Sequence, residues 1–506
     1  MVGVVVLGLL SSAWGQEGRR PNIVIVMPDD VGYGDFACLG NPIIRTPRID
    51  RLHDQSIRLT SFHVSPTCAP TRSALMTGRH EFRNGVTHTV YERERLALDS
   101  VTLAQVLRSA GYTTGIFGKW HLGDEPAYWP DKRGFDEMFI HGAGGIGQTF
   151  PGSCGDAPGN TYFDPAILHN GRFEKTQGYC TDVFFNRAID WIETVKGGER
   201  PFFAYITPNA AHEPLQVPES YGARHAGQVP DDVAKFYGMV ENIDDNVGRL
   251  LDALDRYGLT DNTLVIFLTD NGGTFGVPIF NAGMRGRKVT PFEGGTRVPS
   301  FWRWPKGLPL AGRDVPALTA HIDILPTLAA IAGVALEGPV GTQVEGRSLL
   351  PLLQSSWPSE WPNRTLVTHV GRWPTGHQEA WKYREAAIRD ERWSLVFQPA
   401  GKALFDLQSD PGQGQDVQKE NPEVEARLQA EYDRWWAEVQ LRLVNETAVG
   451  PRINPFKALY YEQFGGAPDQ DLLYRMDPVR RVENEQREWE QSRRQGSPAS
   501  GQGAGQ

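Results

Sequence analysis

Cysteine is scarce in this chain, with four in 506 residues. That is too sparse for a disulfide framework, so the fold must rest on a buried core. Basic excess is also missing. The net charge of −10 argues against general nucleic-acid binding, which leaves a basic footprint. It does not exclude an anionic substrate, since a local cationic pocket can exist within an acidic protein. No apolar run reaches the ~18 residues of a membrane span, so no integral span is expected. No internal repeat is visible.

What is present describes an ordinary globular protein, 40% hydrophobic and 22% charged. The length suits a large α/β domain plus a smaller one. Residues 1–15 combine a short apolar run with small residues at Ala13 and Gly15, as in a secretory signal peptide. This predicts export, periplasmic or secreted. The run has no Lys or Arg before it, and a buried strand is the alternative. Cys154 and Cys180 bracket a Gly/Pro-rich stretch, and either pair or remain two thiols. Cys38 reads as a small buried hydrophobe.

Residues 22–27 form a continuous β-branched run that suits a strand buried on both faces. Segments 201–206, 263–268 and, more briefly, 112–117 look similar. Helical patterns lie between them, around 100–110, 181–196 and 232–257. The alternation predicts an α/β fold with a large, mostly parallel sheet sandwiched by helices. Polar residues follow the strands: Asp29 and Asp30 after the first, Asp270 and Asn271 after another, and His212 just past a third. In open α/β sheets ligands bind beyond the carboxyl ends of strands, so these residues can converge.

A composition shift near 355–365 separates a main domain, 16–365, from strand-like pieces at 393–397 and 403–407 and a charged helix around 421–440. This predicts a smaller C-terminal α+β subdomain over 366–475. The stretch 476–506 is rich in Arg, Glu, Gln, Gly and Ser and is expected to be a frayed helix and disordered tail.

Five segments carry chemistry. The first is Pro28-Asp29-Asp30-Val31-Gly32-Tyr33-Gly34-Asp35. The second is Cys68-Ala69-Pro70-Thr71-Arg72-Ser73-Ala74-Leu75-Met76-Thr77-Gly78-Arg79. The third, residues 111–123, contains Gly118-Lys119-Trp120-His121-Leu122-Gly123. The fourth is His212-Glu213-Pro214. The fifth, residues 285–299, contains Gly286-Arg287-Lys288 and Glu293-Gly294-Gly295-Thr296-Arg297. Singly, most have a plainer reading. An Asp-Asp or Asp-Asn pair more often makes a turn or cap, and a lone cysteine is more often buried packing. Together with Thr269-Asp270-Asn271-Gly272 they resemble type I sulfatases, a formylglycine-dependent family of the alkaline phosphatase superfamily, over residues 21–420.

The resemblance implies that Cys68 is oxidised to formylglycine (3-oxoalanine) by a formylglycine-generating or equivalent maturation enzyme. Asp29, Asp30, Asp270, Asn271 and the modified Cys68 would hold one divalent cation. Ca²⁺ is expected and Mg²⁺ is the alternative, since oxygen donors favour these ions over zinc. The helix opening near Thr71 would favour an anion at residue 68, and Arg72 would neutralise the site. Lys119 would contact sulfate and nucleophile. His121 would deprotonate the second hydroxyl of the aldehyde hydrate, expelling sulfate. His212 would assist the leaving oxygen, and Lys288 would bind sulfate and the bridging oxygen. Arg285 and Arg287 either reach substrate or are solvated, and Glu293 and Arg297 organise their loop.

The expected reaction is hydrolysis of a sulfate ester, through a sulfated intermediate at residue 68, with a sulfated carbohydrate as substrate. Hydrolysis of phosphate or phosphonate esters is the nearest rival, and a non-catalytic carbohydrate-binding protein is the second. Residues 124–180 match the family less well and can shape the pocket. Trp129, Trp357, Trp361 and Trp373 either stack on sugar rings or pack internally.

Overall fold

The computed structural model describes residues 20–308, 311–355 and 361–494. The expected signal peptide, Trp357 and residues 495–506 lie outside them. Five parallel strands make the centre of a ten-stranded sheet. Their spatial order is Thr263–Leu268, Asn22–Val26, Phe202–Thr207, Thr113–Lys119 and Glu137–His141. Antiparallel strands flank them, Ser300–Arg303 at one side and Ala166–His169 at the other.

The β-branched run of the first strand explains its position. Ile23 and Ile25 enter the core on one face, and Val24 and Val26 enter the core on the other, the period of two expected for a pleated strand. Helices Leu103–Ser109 and Ile324–Ile331 cover the first face, and Cys180–Val195 and Asp231–Arg256 cover the second. The sandwiched, mostly parallel sheet matches the expected α/β class.

Beyond residue 365, Leu366–His369, Ala386–Arg389, Trp393–Gln398 and Gly401–Asp406 form a separate antiparallel sheet. Helix Pro422–Val439 lays Leu428, Tyr432 and Trp436 on it.

The helix expected in the charged stretch after 476 runs over Pro478–Arg494. Arg481, Glu485 and Trp489 recur on one helical face. They meet Glu92 at 3.5 Å, the Thr375 hydroxyl at 2.8 Å and the His377 ring at 4.4 Å between centroids. Local composition carries no trace of these distant partners. One expectation needs correction: Cys38, read as a small buried hydrophobe, is only partly buried, its N–H donating to Asp50. Cys154 and Cys180 are separate buried thiols. The Cys154 sulfur accepts from Gly144 N–H at 2.9 Å, and Cys180 donates to Asn209 at 3.4 Å. No helix among the described residues is long and apolar enough to cross a membrane.

Candidate active site

The carboxyl ends of the parallel strands bring the acids together. Past strand Asn22–Val26, Asp29 exchanges backbone hydrogen bonds with Ala210 and Ala211, at 2.9 and 2.7 Å. This ties the first loop to the one carrying His212. Asp30 takes a left-handed φ of 62° and donates its N–H to Asp270 Oδ1 at 3.2 Å. After the neighbouring strand, Gly272 packs so closely that a Cβ there would lie 1.9 Å from the Gly294 carbonyl oxygen. That contact seats the Asp270–Asn271 turn against the loop carrying Lys288.

Cys68 is the first residue of helix Cys68–Thr77, with Thr67 at its N-cap. The helix begins three residues earlier than the expected start at Thr71. Pro70 is tolerated because first-turn N–H groups have no intrahelical acceptor. Cys68 Sγ lies 3.8 Å from Asp30 Oδ1. Burial pushes the thiol up to about 12, with Asp29 adding and Lys119 and Lys288 opposing. Such a thiol stays protonated, which disfavours the unmodified side chain as nucleophile.

Three cations balance the acids. Arg72 is fully buried, donating to Asp270 Oδ2 at 2.8 Å and to the Lys119 carbonyl at 3.1 Å. Lys119 donates to Asp29 at 2.5 Å and Lys288 to Asp30 at 2.6 Å. Burial alone would raise Asp30, but Lys288, His212 and Lys119 hold its carboxyl well below the usual range. Burial and the Asp29 charge push Asp270 up to about 7, against Arg72 and Lys119.

The two histidines are both neutral, for the same reason. Burial lowers His212 to about 4 and holds His121 well below its ordinary value. His212 Nδ1 lies 2.7 Å from the Glu213 carbonyl. A carbonyl only accepts, so Nδ1 carries the proton and Nε2, 3.7 Å from Asp30 Oδ2, is bare. His121, at φ 59°, has the opposite tautomer: Nε2 donates to the Thr89 carbonyl at 2.6 Å, and buried Nδ1 has no partner.

These groups surround a cavity of about 720 Å³ whose wall includes Asp30, Cys68, His121, His212 and Lys288. Asp29, Asp30 and Asp270 present oxygens within 4.8 Å of one another. Asp29 Oδ1 and Asn271 Oδ1 are buried acceptors that receive no hydrogen bond. Crowded carboxylates with orphaned oxygens are what a hard divalent cation requires, so the residues fit the expected ion. All the residues named from sequence for nucleophile, metal and sulfate contacts therefore converge.

The neighbours divide. Arg285 stacks on Phe292 at 4.2 Å, whereas Arg287 lines the cavity. Glu293 pairs with Arg389 at 2.6 Å, and Arg297 donates to the Thr60 carbonyl at 2.8 Å, both holding loops. Trp373 is buried against Phe82 and is not free for sugar stacking, and Trp129 and Trp361 are partly buried against the main core. Arg372 and His88 also line the cavity. Neither belongs to a motif, and no signal in the sequence singles them out.

A family model described as "Sulfatase" matches residues 21–334, and one described as "N-sulphoglucosamine sulphohydrolase, C-terminal" matches 287–437. Arylsulfatase G of Rattus norvegicus is 30% identical over 85% of this chain and 89% of its own length. N-acetylgalactosamine-6-sulfatase of Mus musculus is 34% identical over 69% of this chain and 68% of its own. The crystal structure of Ps i-CgsB with k-i-k-neocarrahexaose superposes with a TM-score of 0.73 at 27% identity, covering 90% of this chain and 99% of that one.

Proposed function

This chain belongs to the sulfatase family and hydrolyses sulfate esters, and we propose that it does so on a sulfated carbohydrate, using Cys68 converted to formylglycine and a bound Ca²⁺. The carbohydrate reading is supported by the relatives' own names, N-acetylgalactosamine-6-sulfatase and a neocarrahexaose complex among them. Family members generally use formylglycine and a divalent cation. The observation that carries the site assignment is the orphaned oxygen pair, Asp29 Oδ1 and Asn271 Oδ1, beside Cys68, the buried Arg72 and Lys119, and the partly buried Lys288.

Asp29, Asp30, Asp270, Asn271 and residue 68 would hold the cation, which supplies charge withdrawal from the sulfate oxygens. The hydrated aldehyde at residue 68 supplies a nucleophilic hydroxyl that an ordinary cysteine or serine lacks in this form. Lys119 and Lys288 each spend one ammonium hydrogen on an aspartate, which leaves two donors apiece for sulfate oxygens. Arg72, pinned by Asp270, adds fixed positive charge at no reorganisation cost. His212 must take up a proton at Nε2 before it can donate to the leaving oxygen, and an arriving sulfate favours that uptake. His121 presents bare Nδ1 as the base that removes the remaining hydroxyl proton.

The same reading assigns 16–365 to the catalytic domain, 366–475 to the C-terminal subdomain and 1–15 to an export signal, with maturation by a formylglycine-generating enzyme. The deciding test is the mass of the Cys68 peptide after co-expression with that enzyme, followed by sulfate release from matched sulfate and phosphate esters. The aldehyde mass with preferential sulfate release is expected. An unmodified thiol removes the mechanism, and preferential phosphate release moves the chain to the phosphate or phosphonate hydrolases.

A further inference from the structure

Resting on that sulfatase reading, we propose that Arg372, with Arg287 lining the same cavity, forms a second anion-binding position that selects substrates carrying a further sulfate or carboxylate besides the ester cleaved.

Arg372 reaches the cavity from the stretch following strand Leu366–His369 of the small sheet. Its backbone is pressed onto the loop at 87–89. A Cβ at Gly371 would lie 2.0 Å from the Thr87 carbonyl oxygen, and Arg372 N–H donates to that same oxygen at 3.1 Å. The residue sits at φ 57°, a left-handed conformation unusual for a long side chain. Its Nη2 donates to the Thr89 hydroxyl at 3.1 Å, and the Thr89 carbonyl accepts from His121 at 2.6 Å. One threonine thus touches both the proposed base and this arginine, which places the guanidinium beside the reaction centre without entering it.

It has no direct ion-pair partner. Nε is buried without an acceptor, and among the described residues no carboxylate pairs with Arg372. Nearby arginines do not share this state: Arg93 meets Glu446 at 3.2 Å, and Arg481 meets Glu92 at 3.5 Å. A largely desolvated cation without a counter-ion is costly unless an anion arrives. A guanidinium fork matches the paired oxygens of sulfate or carboxylate. The cleaved sulfate already has Arg72, Lys119 and Lys288 around it, so Arg372 is surplus to that role. Arg287 is exposed, makes no ion pair among the described residues and adjoins Lys288. At about 720 Å³ the cavity is far larger than one sulfate and has room for a sugar carrying a second charged group.

The test uses the matured, Ca²⁺-loaded full chain. Its substrates are 4-nitrophenyl sulfate and matched sulfated disaccharides, each pair differing by one extra sulfate or carboxylate. For the wild type, kcat/KM is expected to favour the more anionic member of at least one pair by about tenfold or more, mainly through KM. Arg372→Ala should collapse that ratio to within about twofold, and Arg372→Lys should restore part of it. Arg372→Gln, which can keep a hydrogen bond to Thr89, repeats the reading should the alanine variant fail to fold. Arg287→Ala should lower the ratio less. A ratio unchanged in the Arg372 variants, or no wild-type preference in any pair, overturns the proposal. Absence of sulfate release from every substrate, 4-nitrophenyl sulfate included, instead overturns the sulfatase reading itself.

Discussion

At the scale of single residues, charge is arranged before any ligand binds. Lys288 has its usual ammonium strengthened by Asp30 despite burial, so it is a fixed cation over the whole working pH range. Lys288→Ala and His212→Ala are expected to lower kcat about 10²- to 10³-fold, the range for losing one preorganised donor. Steady-state rates on a sulfate ester, with thermal melting as a folding control, check this. A different residue contributes to the pH dependence of stability. Glu94 is buried with both oxygens unpartnered, and burial, with Asp124 and Glu92 adding, raises it from 4.5 to about 8. Between those values the folded chain keeps a proton that the unfolded chain has released, so this contribution to stability falls as pH rises through that window. Glu94→Gln imitates the protonated form. It is expected to match wild type near pH 4 and to be more stable near pH 9 by on the order of a few kcal/mol, read from urea midpoints at the two pH values. Asn445, which fits a glycosylation sequon, is instead buried with its amide donating to the Gly85 and Arg95 carbonyls, at 2.9 and 2.8 Å.

At the scale of elements, helix ends and strand ends do separate work. Helix Leu103–Ser109 starts with a capping box, Thr102 accepting from Gln105 N–H and Gln105 from Thr102 N–H, both remote from the cavity. Thr102→Ala should cost about 1 kcal/mol, as lost caps do, with activity retained per folded molecule. Strand Thr113–Lys119 is less forgiving. Gly118 has φ 127°, and a Cβ there would lie 2.0 Å from the Thr207 carbonyl oxygen of the adjacent strand. Gly118→Ala should therefore destabilise by more than about 3 kcal/mol and displace Lys119, so denaturant melts and activity should fall together. If Gly118→Ala proves as mild as Thr102→Ala, the close strand contact is not what positions Lys119.

At the scale of the whole molecule, the proposed cation site is where distant parts of the chain are joined. Asp29 and Asp30 come from one end of the sequence and Asp270 and Asn271 from its middle, held across neighbouring parallel strands. Without an ion, three buried acids would face one another there. Chelation is expected to abolish sulfate release and to lower the melting temperature. Adding Ca²⁺ at about 100 times its dissociation constant should return roughly 2.7 kcal/mol, and Mg²⁺ should return less at equal concentration. A melting temperature indifferent to chelator and Ca²⁺ would remove the metal assignment while leaving the fold intact.

Much of this was legible in one dimension. A β-branched run such as 22–27 buries on both faces wherever it lies, so the parallel core could be read locally. Acids placed just after such runs point to the sheet's carboxyl edge, and the segments around Cys68, Lys119 and Lys288 carried their chemistry in adjacent residues. Tertiary structure alone decided the rest, because it depends on partners far apart in sequence. The tail helix Pro478–Arg494 exists beside Glu92 and Thr375, the tautomers of His121 and His212 follow from carbonyls at Thr89 and Glu213, and Cys154 and Cys180 stay apart as thiols. Arg372 shows the difference most plainly: no signal in the sequence marks it, and only docking onto residues 87–89 leaves it without an ion-pair partner beside the site. Covalent neighbours set which face a strand buries and which groups a motif contains, whereas burial, protonation and unpaired charge are set by what the folded chain brings close.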